Sequence, residues 1–168
     1  MSEPPSIAAD QFKALMGSFA AGVTVVTTRD LHGNPWGLTA TAFSSLSLDP
    51  PLCLVCIDRR TASHRPLVDS GRFAVSMLTD QQQDLSNHFA SKLSDKFAGV
   101  PWIPGTVTAI PVLSEALAWM ECSVAAIHDG GDHDIFVGRI LSAHLRDGKP
   151  LIYWRGAYAD LTSRPKAW

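Results

Sequence analysis

The sequence predicts a mainly β protein with added helices, in which an antiparallel sheet closes into a barrel. About seven runs of β-branched and apolar residues are separated by turn residues, which is the pattern of a mainly β chain. Helices are predicted between some of these strands, but they do not alternate with them as a doubly wound parallel sheet requires. The chain also lacks the glycine-rich motifs GxGxxG and GxxxxGK[ST] and any internal repeat.

Composition indicates one well-cored domain that acts on small molecules. The chain has 168 residues, of which 46% are hydrophobic and 18% are charged. A chain of this length buries about two-thirds of the surface that its unfolded form exposes. We expect a loose arm at residues 1–9, where Pro4 and Pro5 disfavour a helix, and a single domain at residues 10–168. The net charge of −2 offers no basic surface for nucleic acid or for anionic lipid.

The N-terminus and the cysteines are those of a cytoplasmic protein. No positively charged segment precedes an apolar one, and no apolar run is long enough to span a membrane. Cys53, Cys56 and Cys122 lie in apolar strand-like runs, so we expect reduced, buried thiols. Cys53 and Cys56 have CxxC spacing, but residues at i and i+3 on a strand point to opposite faces. This geometry excludes both a redox pair and a shared metal.

The first ordered elements are predicted to be a helix and a β-hairpin. Asp10 can cap a helix in QFKALMGSFAAG, where apolar residues recur at helical spacing and Gly22 ends the segment. Residues 23–29, VTVVTTR, are β-branched and predict a strand. Turn residues at 32–35 then pair this strand with the run that starts at Trp36.

The remaining elements follow from the same rules. After a break at residues 49–51 they are a strand at 52–57, a short helix capped by Thr61 and ending near Gly71, a strand at 72–78, a helix at 81–90, a Pro- and Gly-rich loop at 99–111, long strands at 117–127 and 135–145, and a last strand in LIYWRG. The segment HDGGDHD between the two long strands suits a hairpin loop or a bulge.

Residues 36–57, WGLTATAFSSLSLDPPLCLVCI, form the stretch most suited to a ligand. It combines a glycine, small hydroxyl and methyl residues and a pair of prolines in one short length. A backbone with so few bulky side chains can approach a flat ligand closely. The alternative is an ordinary barrel strand, because Thr and Ser are also common there.

Six stretches occur in order between Phe12 and Tyr158: GVTVVTT, GLTATAFSSLSLDPPLCLVCIDRR, RFAVSMLT, SNHFASKLSDKFAG, HDGGDHDIFVGRI and PLIYWRGAY. Together they resemble the flavin reductase family, the FMN-binding split-barrel proteins. The resemblance implies an antiparallel Greek-key split barrel and a homodimer with flavin near the subunit interface. It also implies hydride transfer from NADH or NADPH to FMN or FAD, with reduced flavin supplied to a partner monooxygenase.

The resemblance also implies which residues hold the cofactors. Those implied to contact the flavin ring edge and ribityl chain are Gly37, Thr39, Ala40, Thr41, Ala42, Ser44 and Ser45. Those implied to lie along the flavin and receive its phosphate are Cys56, Ile57, Asp58, Arg59, Thr61 and Ser63, with Phe89 and Lys92 as a second wall. The C-terminal strand residues Tyr153, Trp154, Arg155 and Gly156 are implied to border the dinucleotide, and His133 to orient the nicotinamide. Hydride transfer needs only this positioning, without a nucleophile or a metal.

Other interpretations of the same residues stay open. His128 and His133 with Asp132 and Asp134 invite a metal site, but they lack a recognised ligand spacing. A non-catalytic FMN-binding carrier or sensor would share the fold, and an oxidase of the pyridoxamine-phosphate type would need more basic residues around a substrate phosphate. Thr41 stands where many relatives carry another polar residue, which leaves the choice of flavin open. Family habit favours NADH over NADPH.

Overall fold

The computed structural model describes residues 6–162. Residues 1–5 of the predicted arm and residues 163–168 of the predicted domain lie outside the described part. Within it, the helices are α1 (Ala9–Gly17), α2 (His64–Ser70) and α3 (Gln83–Ala90). The strands are β1 (Ala21–Gly22), β2 (Thr24–Arg29), β3 (Pro35–Ala40), β4 (Phe43–Ser47), β5 (Leu52–Asp58), β6 (Arg72–Met77), β7 (Trp102–Pro104), β8 (Pro111–Leu113), β9 (Ala118–Gly130), β10 (His133–Leu145), β11 (Ile152–Trp154) and β12 (Ala157–Ala159).

A seven-stranded sheet in the order β3-β2-β6-β9-β10-β5-β4 forms the body of the molecule. All of its strand pairs are antiparallel. The two edge strands, β3 and β4, follow each other in the chain and are joined only by Thr41 and Ala42. The end of one edge strand therefore lies next to the start of the other. The prediction of a mainly β, antiparallel protein with few helices is confirmed.

The core lies on both faces of this sheet. Successive residues of a strand point to opposite faces, and Val25 and Val26 on β2 belong to two different buried clusters. One cluster, around Phe73 and Phe136, is covered by α2. The other contains Phe89 of α3 together with Phe97 and Leu113. Because it is packed on both faces, β2 is a continuous β-branched run rather than an alternating one.

The prediction for the N-terminal helix is partly wrong. The helix ends at Gly17, and Gly22 lies in β1, where it pairs with Ile152 of β11. This pairing overrides the helical spacing, since tertiary contacts outweigh intrinsic propensity. Asp10 lies in the first turn, but the N-cap residue is Ala8, without a side-chain cap. None of the residues of α1 is buried.

Other boundaries differ for local reasons. Thr61 does not cap α2: its Oγ1 donates to the carbonyl of Asp58 at 2.9 Å, and the helix begins at His64. The predicted end is confirmed, since Gly71 adopts φ of 61° as a left-handed cap. The predicted loop at 99–111 contains β7, which pairs with β8. The long hairpin is confirmed, but its strands extend through HDGGDHD and leave a two-residue turn at 131–132.

The last predicted strand is the first half of a hairpin. Arg155 and Gly156 have φ of 49° and 81° and connect β11 to β12. Positive φ at both central residues is the geometry of the tightest hairpin turns. The small sheet formed by β1, β11 and β12 therefore lies outside the seven-stranded one.

Cys53 and Cys122 are buried as predicted, with sulfurs 3.8 Å apart, whereas Cys56 is only half-buried. Cys53 and Cys56 alternate in burial along β5, so the prediction of opposite faces is confirmed.

Candidate functional site

Two adjoining cavities lie where β3, α3 and the β5–α2 turn meet. The larger has a volume of about 730 Å³ and the smaller about 330 Å³. Thr39 and Ala90 line both cavities, so a single wall separates them. A ligand that lies along this wall can reach from one cavity into the other.

Gly37 allows α3 to pack closely against β3 at the floor of the larger cavity. A Cβ atom at this position would come within 2.7 Å of Cε1 of Phe89. Phe89 is fully buried and lines the larger cavity. The carbonyl of Gly37 accepts hydrogen bonds from Ser63 Oγ at 3.1 Å and from Lys96 Nζ at 3.2 Å. The Gly37 carbonyl therefore connects β3 to the β5–α2 turn and to the segment that follows α3.

Lys96 is a functional residue that the sequence analysis did not select. Its Nζ also donates to the carbonyl of Phe89 at 2.8 Å, which anchors the segment after α3. Burial lowers the pKa of the Lys96 ammonium. Its third N–H remains available to the larger cavity, which Lys96 lines. The signal for it was the second lysine of the stretch SKLSDKF.

The larger cavity is electropositive. Arg60, Lys92 and Lys96 line it, against the single carboxylate of Asp58. Arg60 forms a 2.7 Å ion pair with Asp58, and the hydrogen bonds from Arg60 hold the pKa of Asp58 well below its ordinary value. Thr61, Ser63 and Ser91 also line it, but their hydroxyl groups already donate to the carbonyls of Asp58, Gly37 and His88. The three cations are therefore the groups that suit a phosphate.

His133 lies next to the larger cavity without lining it. It stands opposite Asp58 in the β10–β5 register, and residues opposite each other share one face of a sheet. Its Nδ1 is 2.7 Å from Asp132 Oδ1, and 40% of its side chain is exposed. The ring is therefore held beside a residue that does line the cavity.

Arg59 turns away from both cavities, unlike its neighbour Arg60. Its guanidinium is 2.5 Å from Asp134 Oδ1 and 2.8 Å from Asp129 Oδ2. The predicted anion site thus contains Arg60, which was not selected, in place of Arg59. The side chains of two consecutive turn residues leave in different directions, which the sequence alone does not reveal.

The smaller cavity is lined by neutral polar and aromatic groups. The Tyr158 hydroxyl is 2.9 Å from Ser86 Oγ and 2.8 Å from Asn87 Oδ1. Thr39 Oγ1 donates to the carbonyl of Ser86 at 2.6 Å, and the Tyr153 and Tyr158 rings meet edge to face. The predicted residues in this cavity are Thr39, Thr41, Tyr153 and Gly156; Ser86, Asn87 and Tyr158 were not selected.

The remaining predicted residues lie outside both cavity linings. Ala40 and Ile57 are in the core, so only their backbone is available to a ligand. Those on the bend, the edge strand or β5 are Ala42, Ser44, Ser45 and Cys56. Trp154 donates from Nε1 to the carbonyl of Ser18 at 3.2 Å, and the guanidinium of Arg155 lies over its ring. His133 and Tyr153 were expected on one side of the flavin, but they stand beside different cavities.

Residues 6–162 contain no group of three or more His, Cys, Asp or Glu side chains arranged to hold a metal ion. Among the helices of this part of the chain, none has the length and apolar character needed to cross a membrane.

Known proteins are similar to this chain in sequence and in fold. Residues 16–162 match the family described as flavin reductase like domain. A probable flavin reductase of Rhizobium meliloti is 44% identical over 84% of this chain, which spans only 45% of that longer protein. A flavin reductase (NADH) of Kitasatospora aureofaciens is 42% identical, over 93% of this chain and 83% of its own length.

A solved structure extends the likeness to the fold. Nitrilotriacetate monooxygenase component B from Mycobacterium thermoresistibile superposes with a TM-score of 0.87 at 37% identity. The match covers 95% of this chain and 91% of that one.

Proposed function

This chain belongs to the flavin reductase-like family, and from that membership we propose that it is an NAD(P)H:flavin oxidoreductase. It transfers a hydride from NADH, or NADPH, to FMN or FAD. Reduced flavin then passes to a separate monooxygenase. Two relatives with similar sequences are named as flavin reductases, and the similar solved structure is a monooxygenase component.

The electropositive cavity beside a neutral, tyrosine-lined one is the observation that carries the proposal. Arg60, Lys92 and Lys96 supply the cations that a flavin phosphate needs. Gly37 and the small residues of the β3–β4 bend leave the backbone accessible to a flat ring system. The donor set therefore fits a flavin, with its phosphate in the larger cavity and its ring toward Thr39 and Thr41.

The residues of the chain act by binding and orientation. A bound flavin supplies the hydride-accepting chemistry, whereas the protein holds the donor and acceptor in place. Backbone groups near Thr39 and Thr41 hold the ring, and His133 orients the nicotinamide carboxamide from beside Asp58. Such positioning is the main contribution that a protein can make to hydride transfer.

Riboflavin, which lacks the phosphate, tests the assignment of the larger cavity. FMN should bind at least about tenfold more tightly than riboflavin, the contribution of one charge-assisted hydrogen bond. In Lys92→Ala this preference should shrink while riboflavin affinity stays unchanged. Equal affinities of the unaltered protein for FMN and riboflavin would contradict the assignment.

We also propose that two chains form a homodimer through α1. Phe12, Leu15, Met16 and Phe19 are each more than half exposed in the single chain, at 55%, 63%, 51% and 76%. Phe12, Leu15 and Met16 are on α1 and Phe19 lies just after it. An exposed apolar surface of this kind marks an interaction surface, and a second copy is the simplest partner for it.

The sheet is proposed to close as a split barrel, with the bend at Thr41 and Ala42 joining its edges. A cytoplasmic location is proposed from the free thiols of Cys53, Cys56 and Cys122, since reduced cysteines persist in that compartment.

A further inference from the structure

We propose that four side chains that meet at the end of the β9–β10 hairpin, which we call the Arg59 cluster, position His133 for the hydride donor. The cluster consists of Arg59, His64, Asp129 and Asp134. The inference rests on the proposed function, in which His133 orients the nicotinamide. It assigns a role to Arg59 that differs from phosphate binding.

The hairpin end carries two carboxylates that face each other. Asp129 and Asp134 are directly opposite in the β9–β10 register. Like charges in this arrangement repel and destabilise the strand pair. Arg59 lies between them, with its Nη2 2.8 Å from Asp129 Oδ2 and its Nε 2.9 Å from Asp134 Oδ1. The guanidinium thus converts a repulsive pair into an attachment of the hairpin to the β5–α2 turn.

Two further contacts fix the same end of the hairpin. His64 Nε2 is 2.7 Å from Asp134 Oδ2, and only 15% and 14% of these side chains are exposed. The backbone N–H of Arg59 donates to the carbonyl of Asp132 at 3.1 Å. The hydrogen bonds from Arg59 hold the pKa of both Asp129 and Asp134 below its ordinary value, so both are ionised at neutral pH. The turn that follows Asp58 is therefore tied to the hairpin that carries His133.

The cluster and His133 act on opposite sides of one strand. His133 and Asp134 are consecutive on β10, so their side chains point to opposite faces. His133 faces the side of Asp58, which lines the larger cavity. None of the four cluster residues is in the lining of either cavity. Any effect of the cluster on the reaction must therefore pass through the position of the hairpin end.

Arg59→Gln removes the cation and leaves Asp129 facing Asp134. We expect KM for NADH to rise by about 10- to 100-fold, because small displacements of a positioning group have effects of this size. The dissociation constant for FMN should stay within about twofold, since Arg59 does not reach the cavity with the cations. Arg59→Lys should recover only part of the loss, because an ammonium cannot reproduce the fork of a guanidinium.

Arg65→Gln is the matched control. It breaks the ion pair between Arg65 and Asp69, which are 2.8 Å apart on the exposed side of α2. KM for NADH should not change in this variant. If Arg59→Gln does not fold, Asp134→Asn keeps the side-chain shape and removes the ion pairs of Asp134 with Arg59 and with His64, while the pair between Arg59 and Asp129 remains.

A double-mutant cycle with His133→Ala separates positioning from direct contact. If the cluster acts through His133, adding Arg59→Gln to His133→Ala should raise KM for NADH no further. If the increases in KM caused by the two substitutions multiply in the double variant, the inference is overturned. It is also overturned if Arg59→Gln has the same KM for NADH as Arg65→Gln. If His133→Ala leaves KM for NADH unchanged, both the role of His133 and this inference are overturned. Absence of flavin reduction by the unaltered protein would instead contradict the proposed function itself.

Discussion

Gly37 allows Phe89, which lines the larger cavity, to pack closely against β3. Gly37→Ala would place a methyl group 2.7 Å and 2.9 Å from two ring carbons of Phe89. We expect a loss of about 1–3 kcal/mol of unfolding free energy, the usual cost of overpacking, together with weaker flavin binding. Denaturant titration and fluorescence titration with FMN measure the two effects.

Gly22→Ala provides the control, since no atom of residues 6–162 lies within 4 Å of the new methyl group and φ at this glycine is not positive. Equal effects of the two substitutions would show that close packing of α3 on β3 is not the reason for the glycine.

Glu121 couples stability to pH. The side chain is fully buried, and although burial raises its pKa, hydrogen bonds from Thr108, Val107 and Thr106 outweigh this effect and lower it. A carboxyl group with a lowered pKa stabilises the fold above its unfolded pKa of about 4.5, and that contribution is lost as pH falls through the lower folded value. We expect the thermal midpoint to decrease in this acidic window.

Glu121→Gln identifies the residue responsible. An amide would present N–H groups to donors of the 105–110 segment, so unfolding free energy should fall by about 1–3 kcal/mol at neutral pH. The difference from the unaltered protein should narrow on acidification, whereas Glu115→Gln, at an exposed position, should show neither effect. If the difference in unfolding free energy between Glu121→Gln and the unaltered protein stayed constant as the pH was lowered, the pH dependence could not be assigned to Glu121.

Residue types in the site were easier to predict than side-chain directions. The stretch around Thr39 and Thr41, the turn at Asp58 and the lysine at 92 were all selected, and the structure brings them to one pair of cavities. Arg60 and Lys96 were missed because the exit direction of a turn residue and the reach of a lysine depend on tertiary packing.

At the scale of elements, the larger cavity depends on the segment that follows α3. Lys96 ties this segment to β3 and to the end of α3 through the carbonyls of Gly37 and Phe89. Lys96→Met should cost about 1.5–3 kcal/mol of stability, since it removes hydrogen bonds from a charged group. Lys92→Met should leave stability within about 0.5 kcal/mol, because Lys92 is exposed.

Chemical denaturation of both lysine variants, followed by FMN titration, measures this contrast. Both should weaken FMN binding, but only Lys96→Met should lower the denaturation midpoint. Equal stabilities would show that Lys96 does not anchor the segment.

The strands with strong patterns were predictable, and those fixed by partners were not. β2, β5, β6 and the β9–β10 hairpin follow their β-branched and apolar runs. The short strands β7 and β12 have little pattern of their own and exist through pairing with β8 and β11. The bend at Thr41 and Ala42 also escaped prediction, because the run WGLTATAFSSLS carries no Gly, Pro, Asn or Asp at this point to mark a break between β3 and β4.

At the scale of the whole molecule, the exposed face of α1 predicts a dimer. Size-exclusion chromatography with light scattering should give about twice the 18.1 kDa chain mass. Phe12→Glu combined with Phe19→Glu should give monomers, because burying two carboxylates at an apolar interface is unfavourable. The control is Leu31→Glu combined with Leu145→Glu. It replaces two exposed apolar residues outside α1 and should leave the dimer intact.

A monomeric unaltered protein would contradict the proposed homodimer, and a dimer that survives Phe12→Glu combined with Phe19→Glu would exclude this surface as its interface.

Flavin reduction under nitrogen tests the central claim most directly. Purified protein is mixed with FMN and an excess of NADH, and the visible absorbance of oxidised flavin is followed against a protein-free control. The account predicts that the absorbance disappears through many turnovers, faster with the unaltered protein than with His133→Ala. Unchanged flavin absorbance with both NADH and NADPH, in a protein that binds FMN, would contradict it and favour a non-catalytic flavin carrier.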